Sequence, residues 1–289
     1  MTRFAWVLNL DAELELARLG REYVPRVKLT AQLAEFGAGS RALLGPADVL
    51  LEGQILAHPE GLWGRAWCPT PRALEVMRLA GVTPEPHPGA AVLRRVNHRL
   101  FAHELGGGLP DQQYFTTREP VAEILRRGER RWLLKRPLSF AGRGQMRFYG
   151  EITDKQWSWL DVSLAQDGVI LEPLVTPLLE VSLHGFVQRA GAFALGKTCV
   201  QEVTDRGVFR GVRLAREGEL EEAEENALRE RGTAVANALF EAGYFGPFGI
   251  DAHRYRDRET TAFCALSEIN ARYTMGFAVG MASAALELR

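Results

Sequence analysis

Two apolar runs near the C-terminus constrain this chain most. They are Phe248-Gly249-Ile250-Asp251-Ala252-His253-Arg254 and Leu266-Ser267-Glu268-Ile269-Asn270-Ala271-Arg272, with a charged turn at Asp257-Arg258-Glu259 between them. Asp251 and Glu268 lie 17 positions apart, the span of two strands joined by a hairpin. Side chains two apart on a strand share a face, so Glu268, Asn270 and Arg272 are expected to point one way. Antiparallel pairing would bring Asp251 to the same place. Carboxylates in such apolar surroundings need a compensating partner, which argues against two unrelated surface acids. Hard oxygen donors suit a divalent cation, and a guanidinium beside them suits a phosphate. The expected ligand is Mg²⁺ carrying a nucleotide phosphate, with Mn²⁺ as the alternative ion.

A second segment points to the same ligand. Trp132-Leu133-Leu134-Lys135 reads as a strand, and Ser139-Phe140-Ala141-Gly142-Arg143-Gly144-Gln145 follows it as a glycine-rich loop. Glycines let backbone N–H groups approach anionic oxygens closely. A lone strand-end lysine is usually a surface cation, but one followed within ten residues by Ala-Gly-Arg-Gly suits a phosphate. The loop lacks the GxxxxGK[ST] pattern of a Walker A motif.

Composition narrows the classes. With 289 residues the chain can form two or three lobes, and a net charge of −1 disfavours a general nucleic-acid binder. Cys68, Cys199 and Cys264 are scattered, without metal-ligand spacing, which suits a reducing cytoplasm. No apolar run reaches the roughly 18 residues of a membrane span, so no membrane partner is expected.

Strands at 4–10 and 48–52 with a helix at 70–80 suggest a small α/β lobe, closed by the proline-rich joint Thr83-Pro84-Glu85-Pro86-His87-Pro88-Gly89. The expected division is 1–89, 90–170 and 171–289. One helix is expected over 91–105 and another over 120–127, with strands at 131–135 and 168–172. Antiparallel strands are expected at 181–188 and 192–203. The helix at 219–242 should bury Leu220, Ala223, Ala227, Leu228, Val235, Ala238 and Leu239. His184 reads as a hydrogen-bonded strand histidine. Trp157 and Trp159 read as packing residues of the middle lobe.

Lys135 with its loop, Leu171-Glu172-Pro173-Leu174-Val175, Glu180, Gly243-Tyr244-Phe245-Gly246-Pro247-Phe248-Gly249-Ile250-Asp251 and Glu268-Ile269-Asn270-Ala271-Arg272 occur in an order that resembles ATP-grasp proteins. The resemblance covers residues 95–289. It implies two α+β lobes holding ATP, preceded by a small Rossmann-like α/β domain of the preATP-grasp kind. It implies that Lys135 meets the nucleotide phosphates and that Ser139, Gly142, Arg143 and Gly144 belong to a lid loop. Glu172, Pro173, Leu174 and Val175 resemble the hinge strand that meets adenine, and Glu180 the acid that takes the ribose hydroxyls. Asp251, Glu268 and Asn270 match the metal ligands, and Arg272 the arginine beside the transferred phosphate. Lys197 reads equally as a second phosphate contact or a solvated lysine.

This chain departs from the pattern in two places. Many relatives carry an Asn-Lys pair where this chain has Asn97-His98-Arg99, and some peptide ligases carry an arginine where it has Gly249. Arg210, Arg213 or Arg272 alone could supply that second charge. The implied activity is an ATP-dependent carboxylate–amine or carboxylate–thiol ligase acting on small-molecule or peptide substrates, with a homodimer compatible. The alternatives are a phosphotransferase of the same fold and a nucleotide-binding regulatory protein.

Overall fold

The computed structural model describes residues 2–25, 40–128, 130–139, 144–203 and 209–284. Three sheets follow one another along the chain. The first is parallel, in the order β2-β1-β3-β4, from β1 (Arg3–Val7), β2 (Val49–Leu50), β3 (Leu62–Ala66) and β4 (Thr83–Pro84). Its helix Pro71–Leu79 starts with proline at the first helical position, where no N–H is needed. Ala73 and Met77, one turn apart, face the sheet, and Gly81 at φ +76° ends the turn that follows.

The second sheet is antiparallel, in the order β5-β8-β6-β7, from β5 (Gln113–Phe115), β6 (Trp132–Lys135), β7 (Gln145–Phe148) and β8 (Val169–Pro173). The helices Arg118–Arg127 and Asp154–Leu164 cover one face. Val121, Leu125, Leu134, Phe148, Leu160, Val169 and Leu171 form its core, with Trp157 and Trp159 packed at its margin. The second helix opens with a reciprocal capping box between Thr153 and Gln156.

The third sheet runs β12-β11-β9-β13-β14, with β10 paired to β9. Its strands are β9 (Thr176–Val187), β10 (Phe193–Leu195), β11 (Cys199–Val203), β12 (Phe209–Leu214), β13 (Gly246–Asp257) and β14 (Thr260–Asn270). The helix Glu222–Glu241 covers its back and buries Leu228, Val235, Ala236 and Leu239. Gly232 on this helix is a close-approach position, because a Cβ there would lie 2.7 Å from Leu183 Cδ2. The core under this sheet also takes in Trp6, Leu10 and Leu16 of the first lobe and Leu93, Val96 and Phe101 of the following helices. Each such large apolar side chain contributes about 1.5–3 kcal/mol by its burial.

Three local expectations are corrected. The helix expected over 91–105 is two helices, Ala90–Val96 and Arg99–Glu104. Asn97 breaks it, because its side chain donates to the Leu93 carbonyl and exchanges hydrogen bonds with the Ala271 backbone instead of facing solvent. The strand expected over 192–203 is interrupted at Gly196-Lys197-Thr198. There a Cβ on Gly196 would lie 2.3 Å from the Gly280 carbonyl oxygen, and Thr198 turns to donate to Glu225. Ala223 is exposed, and Glu224 is buried in its stead by a forked ion pair with Arg254.

Candidate active site

The C-terminal hairpin pairs Asp251 directly with Glu268 and Gly249 with Asn270, so Asp251, Glu268 and Asn270 share one face of the third sheet. On β9 the same face carries Ser182 opposite Asp251 and Glu180 opposite His253. Asp251 accepts from the Gln201 amide at 2.8 Å and from the Asn270 amide at 2.9 Å. Burial, and then the Glu268 charge, push its carboxyl up to about 7. Glu180 is also raised by burial, an effect that Lys135 opposes.

The second sheet presents its own polar face. Leu133 and Lys135 on β6 lie across from Glu172 and Ile170 on β8, and Lys135 Nζ is 2.6 Å from Glu172 Oε1. The alternate residues Leu134 and Leu171 enter the core behind them. The Lys135 charge acts on both Glu180 and His253, so the lysine and the third sheet border one space. Burial holds His253 down at about 4, hence neutral. Pro173 is buried and Leu174 and Val175 are half-buried where β8 passes into β9.

Arg272 is almost wholly buried. It pairs with Glu13 of the first lobe, donates to Asn270 Oδ1 and the Tyr273 carbonyl at 2.9 Å each, and stands over the Trp67 ring. Glu13 Oε2 and Trp67 Nε1 are buried without a hydrogen-bond partner. Arg99 supplies a second guanidinium. Its Nη2 donates to both Glu268 oxygens at 2.9 Å, and its Nη1 donates to Ser139 Oγ and the Arg136 carbonyl at 2.7 Å each. The Asn97-His98-Arg99 segment thus delivers its cation to Glu268, while the His98 ring caps the helix it begins by accepting from the Leu100 N–H. His184 is buried between Ser182 and Thr274, at 3.1 and 2.9 Å, and burial holds it down at about 4.

Other expected residues lie elsewhere. Ser139 and Gly144 are buried and nearly touching at the stem of the glycine-rich loop, where a Gly144 Cβ would lie 2.4 Å from that of Ser139. Gly142 and Arg143 fall outside the described residues. Lys197 is exposed between β10 and β11. Arg213 stands opposite Val200, hence on the face away from Gln201 and Asp251, and is held by Glu219 and Glu202. Arg210 is exposed at a bulge of β12, between Phe209, which pairs Val203, and Gly211, which pairs Glu202. The sequence reading missed Gln201 and Glu13, and left Arg99 without a role. An isolated amide on a strand and an acid on a short helix carry no local signal.

The donor set fits a hard divalent cation. Glu268 is paired with Arg99, whereas Asp251 across from it accepts only from neutral amides and has no directly bonded cation. Among the described residues no group of three or more His, Cys, Asp or Glu forms an all-protein metal site. A cation held by one or two carboxylates and an amide would complete its shell from a ligand's oxygens.

Three sheets in this order, with polar faces of the second and third bordering one space, define the ATP-grasp fold behind a smaller preATP-grasp-like lobe, and the chain has that fold. No protein-family model matches the chain and no curated protein matches it. Solved structures do. N5-carboxyaminoimidazole ribonucleotide synthetase from Thermus thermophilus is 21% identical, over 94% of this chain and 72% of that one, with a TM-score of 0.53. D-alanyl-alanine synthetase A from Vibrio cholerae is 12% identical, over 100% and 94%, with a TM-score of 0.58. A biotin carboxylase from Campylobacter jejuni, solved as a β,γ-ATP complex, is 12% identical, over 96% and 67%, with a TM-score of 0.58. At these identities the likeness is one of fold. Among the described residues no helix is long and apolar enough to cross a membrane.

Proposed function

We propose that this chain is an ATP-dependent ligase that joins a carboxylate to an amine or thiol, releasing ADP and phosphate. The observation that carries the reading is the convergence of Lys135 and Glu172 from one sheet with Glu180, Asp251, Glu268, Asn270 and Arg272 from the other. In this reading Lys135 neutralises phosphate charge, and Glu172 to Val175 line the base. Glu180 takes the ribose hydroxyls, and Arg272 offsets charge on the transferred phosphoryl. Asp251, Glu268 and Asn270 hold Mg²⁺, which supplies charge neutralisation to the phosphates. The carboxylate and its nucleophile would bind where Glu13 and Trp67 of the first lobe meet Arg272. Residues 1–89, 90–170 and 171–289 then serve as the substrate-side lobe, the nucleotide-covering lobe and the metal-bearing lobe.

Two measurements test this. A ligand at 100 times its dissociation constant stabilises a fold by about 2.7 kcal/mol, so MgATP should raise the melting temperature by several degrees. Screening amino acids and short peptides should give ADP only when a carboxylate and a nucleophile are both present. A stable phosphorylated product would instead identify a phosphotransferase, and no thermal shift at millimolar nucleotide would remove the nucleotide site.

A further inference from the structure

Arg99 ties Glu268 to the stretch that follows β6. Its guanidinium takes both oxygens of Glu268, and the same group holds Ser139 Oγ and the Arg136 carbonyl. Its backbone N–H donates to the Pro137 carbonyl at 3.1 Å. The side chain is only 9% exposed, and its Nε is buried without an acceptor. A positive charge seated this closely on a carboxylate opposes the approach of a second cation to the same oxygens. Glu268 is therefore already neutralised from within the chain, while Asp251 across from it has only amide donors.

We propose that Arg99 is an internal counter-cation, occupying Glu268 in the nucleotide-free protein so that a divalent ion enters with the nucleotide rather than alone. This rests on the nucleotide-site reading above. An ion arriving alone must displace the guanidinium and leave it, in a buried place, without an anion, which is costly. An ion arriving with a nucleotide brings phosphate oxygens, and a guanidinium pairs with phosphate as readily as with carboxylate. Nη1 would meanwhile keep its bonds to Ser139 and the Arg136 carbonyl. Arg99 is thus a positioning residue: it acts on Glu268, not on the reacting atoms.

The test uses Mn²⁺ as the probe and the full chain without nucleotide, with free Mn²⁺ followed by electron paramagnetic resonance. Arg99→Gln removes the charge while retaining polar contact with Ser139 and the Arg136 carbonyl. It should bind Mn²⁺ alone at least tenfold more tightly than wild type, and Mn²⁺ alone should raise its melting temperature more. Arg99→Lys retains the charge and should bind Mn²⁺ as weakly as wild type. Adding ADP should narrow the gap between wild type and Arg99→Gln. Should Arg99→Gln not fold, Arg99→Met fills the same space without charge and carries the same expectation. Equal or weaker Mn²⁺ binding by the neutral variants overturns the proposal, as does Arg99→Lys binding as tightly as Arg99→Gln. A gap that persists unchanged with ADP overturns the coupling to nucleotide. Failure of MgATP to shift the melting of wild type would instead sink the nucleotide site, a result separable from the Mn²⁺-alone comparison.

Discussion

Among the described residues, the acids beside the short helix of the first lobe and those on the third sheet are compensated differently. At the short helix Ala12–Leu16, Asp11 pairs with Arg72 and accepts from the Tyr23 hydroxyl at 2.8 Å. Glu15 accepts from the Thr70 hydroxyl at 2.6 Å, from the Arg72 N–H at 2.8 Å and from its guanidinium at 3.4 Å. Glu13 has Arg272. On the third sheet Glu268 has Arg99, but Asp251 accepts from two amides with no bonded cation, and Glu180 has only the influence of Lys135. The first group is closed by its own chain and reads as architecture, except at Glu13 Oε2. The second is left without a bonded cation at Asp251 and Glu180, as a face built to meet a cation from outside would be.

Breaking the two groups should therefore have different consequences. The largest effect is expected from Glu268→Gln, which removes a charge from the proposed metal-binding face: turnover should drop by about 10³-fold. Its melting temperature should fall although the fold is retained, because the buried Arg99 guanidinium loses its anion. Unimpaired ADP release by this variant would dismiss the metal assignment. Glu15→Ala should do the reverse. It strips Arg72 and Thr70 of a buried partner and should cost about 3 kcal/mol of stability in urea unfolding, while the folded protein binds MgATP as before. A small stability loss there would mean that the first cluster is no more structural than the second.

The smallest effect is a slope with pH. The folded protein holds a proton on Asp251 up to about 7, whereas the unfolded chain releases it near the ordinary value of 3.8. Between those values the folded state binds more protons, so Asp251 makes the metal-free protein lose stability as pH rises from about 4 to 7. The neutral buried His184 and His253 act oppositely, withdrawing stability as pH falls from 6.5 toward 4. Subtracting the stability curve of Asp251→Asn from that of wild type isolates the aspartate. A flat difference would show that Asp251 is not perturbed.

Periodic and short-range features could be read before the structure. The Asp251–Glu268 hairpin followed from alternation and a 17-residue spacing, and its register is the one observed. The long helix at 222–241 and the helix at 71–79 followed from periodicity and end signals. Contacts between distant segments could not be read. Arg99 reaches Glu268 across 169 positions and Arg272 reaches Glu13 across 259, and nothing local announces either pair. The break at Asn97 fails for the same reason: its cause is the Ala271 backbone, 174 positions away. The choice among Arg210, Arg213 and Arg272 could not be read either, since one step along β12 exchanges the two faces of the sheet.

The Asn97 clasp also bears on how the lobes can move. Its amide accepts from the Ala271 N–H at 2.8 Å and donates to the Ala271 carbonyl at 3.3 Å, the same two bonds that a neighbouring strand would make. A side chain here takes the place of a strand at the end of β14. The helix Ala90–Val96, which also receives the Asn97 amide at the Leu93 carbonyl, is therefore riveted to the hairpin that carries Asp251 and Glu268. Any rotation of the second sheet over the third would have to leave that rivet still.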